Sequence, residues 1–399
     1  MSISMMFGVS LILAFFACFF AARIVGYTPL SITEPTGRRD GCIDGLRGYL
    51  ALLVAAHHYF IFYAWIKYGD WGPPNIDYIN NLGKVAVCVF FMITGYLFIG
   101  KLLHSNKERT SSGWAKLYTS RVFRIMPLYL FAVAITILYT FIRHHYEINV
   151  TLPALIKEIG KWLFYIGYTI NGDPDARRVT AGVTWTLRYE WFFYLSLPIV
   201  NILLRKKLTT VMLVFLILLL FFKNKTYLQI QTKYFIYFLY GGIFSYLKLL
   251  MPNRLLIIFK SDLFSFFSLL FLFFALYTDT DISNFFISLS IMLFFFPIVC
   301  GNSLFGLLKA KESIRLGEVS YSIYILHGIM FYTILVFFTG PGVMPSNLVY
   351  LMTIPLALAL ITVVSFVSFK FIEKPFIKIG KSYYPSRVDE EIVPKQVGE

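Results

Sequence analysis

The stretch DGLRGYLALLVAAHH, residues 44–58, is the most informative part of this chain. It opens with an acid and an arginine, continues as an apolar run and ends in two histidines. Arg47 and His58 are eleven positions apart, which is three helical turns to within about 20°, so both face the same way roughly 16 Å apart along the axis. Ionisable groups inside a membrane span are costly, so the pattern indicates function. A helix cap, a headgroup arginine and an incidental histidine are the plainer alternative.

The composition indicates a polytopic membrane protein. Hydrophobic residues make up 58% of the chain and charged residues 14%, against about 25% charged in soluble domains. Apolar runs of helical length recur between polar breaks. We therefore predict an all-α membrane bundle with ten core transmembrane helices plus one extra N-terminal helix. The predicted spans are 4–22, 45–66, 82–103, 122–142, 183–204, 208–223, 232–250, 262–278, 284–301, 316–338 and 348–372.

The positive charges predict the orientation. If the loops after odd-numbered spans and the C-terminal tail are cytoplasmic, that side holds 25 of the 36 Lys and Arg residues. Met1 is then outside and Glu399 inside. The first ten residues carry no charge, which favours a retained anchor over a cleaved signal peptide. The net charge of +15 follows from this topology and does not indicate nucleic-acid binding.

Five further motifs follow the first one in a fixed order. They are VCVFFMITGYL (87–97), RVFRIMP (121–127), TWTLRYEWFFYL (184–195), LGEVSYSIYILH (316–327) and EKPF (373–376). Together with residues 44–58 they resemble the acyltransferase 3 family of membrane enzymes over residues 40–376. Residues 1–39 then form an N-terminal helix and cytoplasmic linker, and 377–399 a short tail. Thr94 and Thr186 stand where the family often has serine.

The resemblance implies O-acyl transfer to sugars. The expected donor is acyl-coenzyme A, most simply acetyl-coenzyme A, and the expected acceptor is a cell-surface or lipid-linked glycan. It implies a multi-pass protein of a bacterial inner membrane, in contact with lipids. We expect no permanently bound cofactor, no metal and no nucleic-acid partner.

His58 and Glu190 are the candidate catalytic residues. Acyl transfer to a hydroxyl needs a base, and histidine suits that task near neutral pH. By resemblance, His58 is this base or a transient acyl carrier, and both roles stay open. Glu190 lies two turns into its predicted span, where a carboxylate needs a task or a partner. A structural ion pair with Arg188 or with another helix is the alternative.

Arg47, Arg121 and Arg124 are the candidate donor-binding residues. Arg121 and Arg124 are three apart and share a helix face. Their guanidinium forks suit phosphate, and coenzyme A carries a pyrophosphate and a 3′-phosphate. Lys116 is a further candidate. Arginines that only anchor the cytoplasmic helix ends are the alternative.

Ser320, Tyr324 and His327 recur at helical spacing and share one face. We weigh a further site at Ser320 and His327 equally against packing. Glu373, followed by Lys374 and Pro375, is interpreted as a helix stop at the membrane boundary. The patch 161–168 is too short to cross and is predicted to be interfacial or re-entrant.

Two other classes of function compete with the enzyme. A transporter of a glycan or lipid would use the same intramembrane ionisable groups, but we find no repeated halves or paired broken helices. A membrane scaffold would not need Arg47 and His58 on one face.

The predicted orientation is testable by cysteine labelling of intact cells. A cysteine at Asp279 should react with an impermeant reagent, and one at Lys206 should react only after lysis, because the positive charges favour the second position inside. The reverse pattern would place the three arginines away from the cytoplasmic donor.

Overall fold

The computed structural model describes residues 3–32, 40–72, 76–104, 111–204, 226–227, 230–278, 281–338 and 346–384. These residues form an α-helical bundle, which confirms the predicted fold class. The helices are α1 (Ile3–Val25), α2 (Gly41–Tyr68), α3 (Asp77–His104), α4 (Ser111–Arg143), α5 (Leu152–Leu163), α6 (Ala176–Val179), α7 (Trp185–Leu204), α8 (Phe235–Leu250), α9 (Asn253–Phe259), α10 (Asp262–Tyr277), α11 (Phe285–Val299), α12 (Lys311–Glu318), α13 (Ser320–Tyr332), α14 (Asn347–Met352), α15 (Ile354–Ser368) and α16 (Lys374–Ser382). One antiparallel pair, β1 (Thr226–Tyr227) with β2 (Ile230–Gln231), precedes α8.

Five helices in the described ranges are long and apolar enough to cross a membrane. They are α1, α2, α3, α4 and the run from Asn347 to Ser382. A sixth span results if α9 and α10, bent by 60° at their junction, count as one. The predicted span 208–223 lies outside the described residues. The predicted number of spans therefore stays a prediction.

Two predicted spans are interrupted in the structure. The helix predicted over 316–338 is broken at Val319, where α12 ends and α13 begins, and it continues after α13 as a π-helical stretch from Thr333 to Phe338. The helix predicted over 348–372 is broken at Thr353 and passes into a π-helical turn, Phe369–Glu373. A hydrophobicity window detects apolar length and carries no information on such changes of hydrogen-bond register.

α2 is the most central of the long helices. It packs against α3, α12 and α13, and most of its residues from Cys42 to Tyr63 are buried. α1 covers α15 and α12 rather than standing apart as a simple anchor. Large apolar side chains on the outer faces, such as Phe16 on α1 and Phe273 on α10, are exposed, as expected where lipid replaces water.

The segment between α4 and α7 is held by polar contacts at the end of the bundle where α2 ends. Arg143, the last residue of α4, donates to the Asp173 carboxylate and to the hydroxyl of Tyr332. Nε2 of His144 lies 3.1 Å from the same carboxylate. α5 has one apolar face, with Trp162 buried against the protein and Ile156 exposed at the other edge, which suits an amphipathic helix lying along the membrane surface.

Two glycines let α3 and α8 cross closely. A Cβ at Gly95 would overlap the backbone carbonyl of Phe238, and a Cβ at Gly241 would overlap that of Met92. Such reciprocal backbone contact is typical of small residues at helix crossings in membranes, where packing drives association. This crossing positions the α3 residues that line the site described below.

Gly241→Ala should destabilise the protein measurably. The added methyl group would meet backbone rather than a flexible side chain, and overpacking of this kind costs about 1–3 kcal/mol. We expect a clear fall in the thermal unfolding temperature of the detergent-purified protein. Gly8→Ala in α1 is the matched control, because no atom lies within 4 Å of the new Cβ. Equal stability of the two variants would contradict the close crossing.

Candidate active site

A cavity of about 360 Å³ opens among α2, α3, α4, α7 and α13. Its volume lies within the range of small-molecule sites, roughly 300–1,000 Å³. The structure brings together in its wall five of the seven residues predicted from sequence: Arg47, Arg121, Arg124, Glu190 and Ser320. We name it the first cavity. Lys116 is exposed on α4 and does not line it.

The first cavity contains charges of both signs. Glu190 accepts a hydrogen bond from the Tyr194 hydroxyl at 2.8 Å, and it lies within electrostatic range of Arg47, Arg121 and Arg124. Its cationic neighbours are therefore arginines of α2 and α4. Of the alternatives weighed for Glu190, these neighbours correspond to charged groups of other helices, and Arg188 lines a different cavity on the other side of α7.

Other contacts hold the arginines in place. Nη1 of Arg47 lies 3.9 Å from Oδ1 of Asp44, one turn earlier. The guanidinium of Arg121 stands over the ring of Phe98, 5.3 Å from its centre. Arginine on an aromatic face keeps its hydrogen-bonding fork available at the edge. The arginines are thus pre-positioned around a space that an anionic group can enter.

Glu373 is a site residue that sequence reasoning assigned to another role. The helix does not stop there: α16 follows directly, and Glu373 ends the π-helical turn. Its carboxylate is fully buried, accepts a hydrogen bond from Ser322 and lies within electrostatic range of Arg124 and Arg47. The helix-stop interpretation was wrong because Pro375 occupies the first turn of a new helical segment, where proline is tolerated.

His58 and His327 form a pair in the middle of the bundle. Nε2 of His327 lies 3.2 Å from Nδ1 of His58, and their ring centres are 5.0 Å apart. His327 is fully buried. The two histidines, predicted from separate motifs, are therefore in direct contact. Neither lines the first cavity.

The surroundings of this pair assign its protons. Nδ1 of His327 lies 3.0 Å from the carbonyl of Ile323; a carbonyl only accepts, so this nitrogen carries hydrogen. In a neutral ring Nε2 of His327 is then an acceptor, and His58 must donate from Nδ1. The carbonyl of Val54, 3.0 Å from Nδ1 of His58, requires the same proton. The arrangement leaves Nε2 of His58 with a lone pair.

His57 has a different set of contacts. Its Nδ1 lies 2.8 Å from the carbonyl of Ile79, and its ring fills the space next to Gly83 on α3. This is the separate helix face expected from the sequence. His57 therefore joins α2 to α3.

Tyr324 stands between the first cavity and the histidine pair. It lines the cavity, and its ring centre is 6.2 Å from that of His327. Its hydroxyl is 2.8 Å from Oγ1 of Thr186, which closes the inner end of the cavity together with Phe90. Ser320, one turn earlier, has a buried Oγ without a hydrogen-bond partner among the described residues. The shared face of Ser320, Tyr324 and His327 thus runs from the cavity wall to the pair.

Comparison with known proteins identifies the family. The family model described as an acyltransferase domain, acyltransferase 3, matches residues 40–370. Nodulation protein 10 of Rhizobium leguminosarum bv. viciae is 26% identical over 175 residues, which cover 41% of this chain and 44% of that protein. An uncharacterized protein of Haemophilus influenzae is 28% identical over 139 residues, 34% of this chain and 56% of that protein.

The aligned part spans about half the length of these curated relatives. No solved structure matches the chain. The family match covers well over half of the chain and includes the helices that carry Arg47, Arg121, Arg124, Glu190 and the His58–His327 pair. The chain therefore belongs to the acyltransferase 3 family.

Proposed function

We propose that this acyltransferase moves an acyl group, most simply acetyl, from acyl-coenzyme A to a hydroxyl of a cell-surface or lipid-linked glycan. The observation that carries the proposal is the nearness of the His58–His327 pair to the arginine-lined first cavity, whose lining residue Tyr324 has its ring centre 6.2 Å from that of His327. Transfer of an acyl group from coenzyme A to an alcohol needs a binding site for this anionic carrier and a group that accepts the alcohol proton. The rest of the bundle supplies a site away from bulk water.

The donor would enter with its phosphates on Arg47, Arg121 and Arg124. A cavity of about 360 Å³ holds only part of coenzyme A, so the nucleotide would remain at the mouth. The pantetheine arm would point inward along Phe90 and Thr94 towards Tyr324. In this scheme Glu190 and Glu373 position the arginines before the donor arrives. The topology predicted from the charges puts this mouth in the cytoplasm of a bacterial cell.

The chemical step balances without a further reactant. Nε2 of His58 takes the proton of the acceptor hydroxyl while the hydroxyl oxygen attacks the thioester carbonyl. The carbon–sulfur bond then breaks, and the coenzyme A thiolate takes the proton from His58. The assigned tautomer supports this base role, because Nδ1 of His58 keeps its proton towards His327 and Val54. The buried Ser320 hydroxyl in the cavity wall, which has no hydrogen-bond partner among the described residues, would donate to the developing oxyanion.

A transporter is the second candidate, because ionisable groups buried between two cavities also suit alternating access. Hydrolysis of acetyl-coenzyme A by the purified protein separates the two. An acyltransferase without acceptor commonly passes the acyl group slowly to water, whereas a transporter leaves the thioester intact.

Donor binding provides the first test of the site. Arg121→Ala and Arg124→Ala should each raise the Kd for coenzyme A about ten- to hundredfold, because a charge-assisted contact is worth ~1.5–3 kcal/mol. Lysine at either position should recover only part of this, since it lacks the fork. Titration calorimetry measures all four variants.

Lys116→Ala is the matched control for donor binding. It removes one positive charge from the same helix but outside the cavity, so the affinity should not change. Unchanged affinity in both arginine-to-alanine variants, or full rescue by lysine, would leave the arginines as topological anchors.

Variants of the three histidines test the proton acceptor. His58→Ala should abolish acyl transfer while the protein still inserts and purifies, and His57→Ala should retain more activity. His327→Gln should lower kcat less than His327→Leu, because the glutamine amide oxygen can still accept from Nδ1 of His58. Steady-state kinetics with a fixed acceptor give kcat and KM for each variant. An active His58→Ala protein would reject the assigned base.

A further inference from the structure

A second cavity of about 310 Å³ lies beyond the first along the molecule. Trp71, three residues past the end of α2, lines the second cavity, whereas Asp40 and Asp44 at the start of α2 line the first. The opening turns of α7 separate the two cavities. Thr186 and Glu190 face the first cavity, and Trp185 and Arg188 line the second.

The wall of the second cavity combines aromatic rings with cations. Trp71, Trp185 and Tyr234 contribute rings, and Arg177 and Arg188 contribute positive charge. The guanidinium of Arg177 stands over the ring of Tyr168, 5.3 Å from its centre. Among the described residues that line this cavity, none is acidic. Aromatic faces pack against the C–H faces of sugar rings, and the arginine forks suit a carboxylate or phosphate.

The second cavity also leads to the histidine pair. Ala181, Gly182 and Thr184 in its wall belong to the loop that precedes α7. Ala181 and Gly182 have φ values of +52° and +68°, so the loop turns sharply there. The backbone at Thr180 and Ala181 touches Gly328, where a Cβ would overlap it, and Gly328 directly follows His327. The loop at Thr180 and Ala181 therefore lies between the second cavity and the helix that carries His327. Tyr324 lies between the first cavity and the same histidine.

We propose that the second cavity is the acceptor site and that it binds a sugar bearing an anionic group, a carboxylate or a phosphate. This rests on the proposed function, in which the first cavity holds the donor. Arg188, which is only 7% exposed, contacts the anionic group from inside the cavity, and Arg177 contacts it at the rim. The sugar ring stacks between Trp71 and Trp185, with a hydroxyl directed towards the loop at Ala181.

Tryptophan fluorescence of the detergent-purified full-length protein tests the proposal, because two tryptophans line this cavity. The probes are methyl β-glucuronide, glucose 1-phosphate and methyl β-glucoside, each titrated with saturating coenzyme A present to occupy the first cavity. At least one anionic sugar should bind about tenfold or more tightly than the neutral glucoside. A preference for the glucuronide indicates an acidic sugar of the glycan itself, and a preference for the phosphate indicates the phosphate of a lipid carrier.

Arg188→Gln and Arg177→Gln should each reduce this discrimination about tenfold. Lys233→Gln is the matched control. Lys233 precedes Tyr234 in the chain, but Lys233 itself does not line the cavity, so its loss should leave the discrimination between the sugars unchanged. If Arg188→Gln does not yield folded protein by gel filtration and thermal unfolding, the result for Arg177→Gln, at a partly exposed position, decides between the outcomes. Equal binding of all three sugars to the wild type, or discrimination that survives both arginine variants, would overturn the proposal.

This result is separable from the proposed function. Failure of coenzyme A to bind the wild-type protein would count against the donor assignment of the first cavity. The sugar titrations report on the second cavity through the Arg177 and Arg188 variants, because these two arginines line the second cavity and not the first.

Discussion

The placement of Glu190 and Glu373 within electrostatic range of arginines on α2 and α4 is the constraint around which the centre of the bundle is organised. Charges held away from water destabilise a protein unless they are paired and hydrogen-bonded. Here the arginines come from α2 and α4 and the carboxylates from α7 and the π-helical turn before α16. Helices from distant parts of the chain therefore bring their charged groups together, and four of these five groups line the first cavity: Arg47, Arg121, Arg124 and Glu190.

The same packing separates two cavities of different chemistry across the opening turns of α7. One cavity is lined by arginines and carboxylates, the other by aromatic rings and two arginines. Between them lie Tyr324, bonded to Thr186, and the histidine pair. Under the proposed function, this arrangement lets a donor in the first cavity and an acceptor in the second approach the histidine pair from opposite sides of α7.

Most of the helical fold could be predicted from sequence, because long apolar runs between charged breaks leave few alternatives in lipid. The relation of Arg47 to His58 depends only on an uninterrupted helix, and α2 is one. Contacts between side chains of different helices could not be predicted, because a single sequence does not show which helices pack together. The neighbours of Glu190 come from α2 and α4, the direct contact of His58 with His327 depends on how α2 meets α13, and the second cavity is built partly from the loop around Ala181. Glu373 was misread because a π-helical turn has no signature that distinguishes it from a helix end.

The 269 positions that separate His58 from His327 have a consequence for the making of the protein. Ribosomes add about 5–20 residues per second, so α2 waits in the membrane for roughly 10–50 seconds before the partner of His58 is synthesised. During that interval its imidazole and Arg47 face lipid, water or the insertion machinery without their final neighbours. Cells that produce this enzyme must therefore shelter an incomplete polar helix, and ribosome stalling before α13 would expose it to membrane quality control.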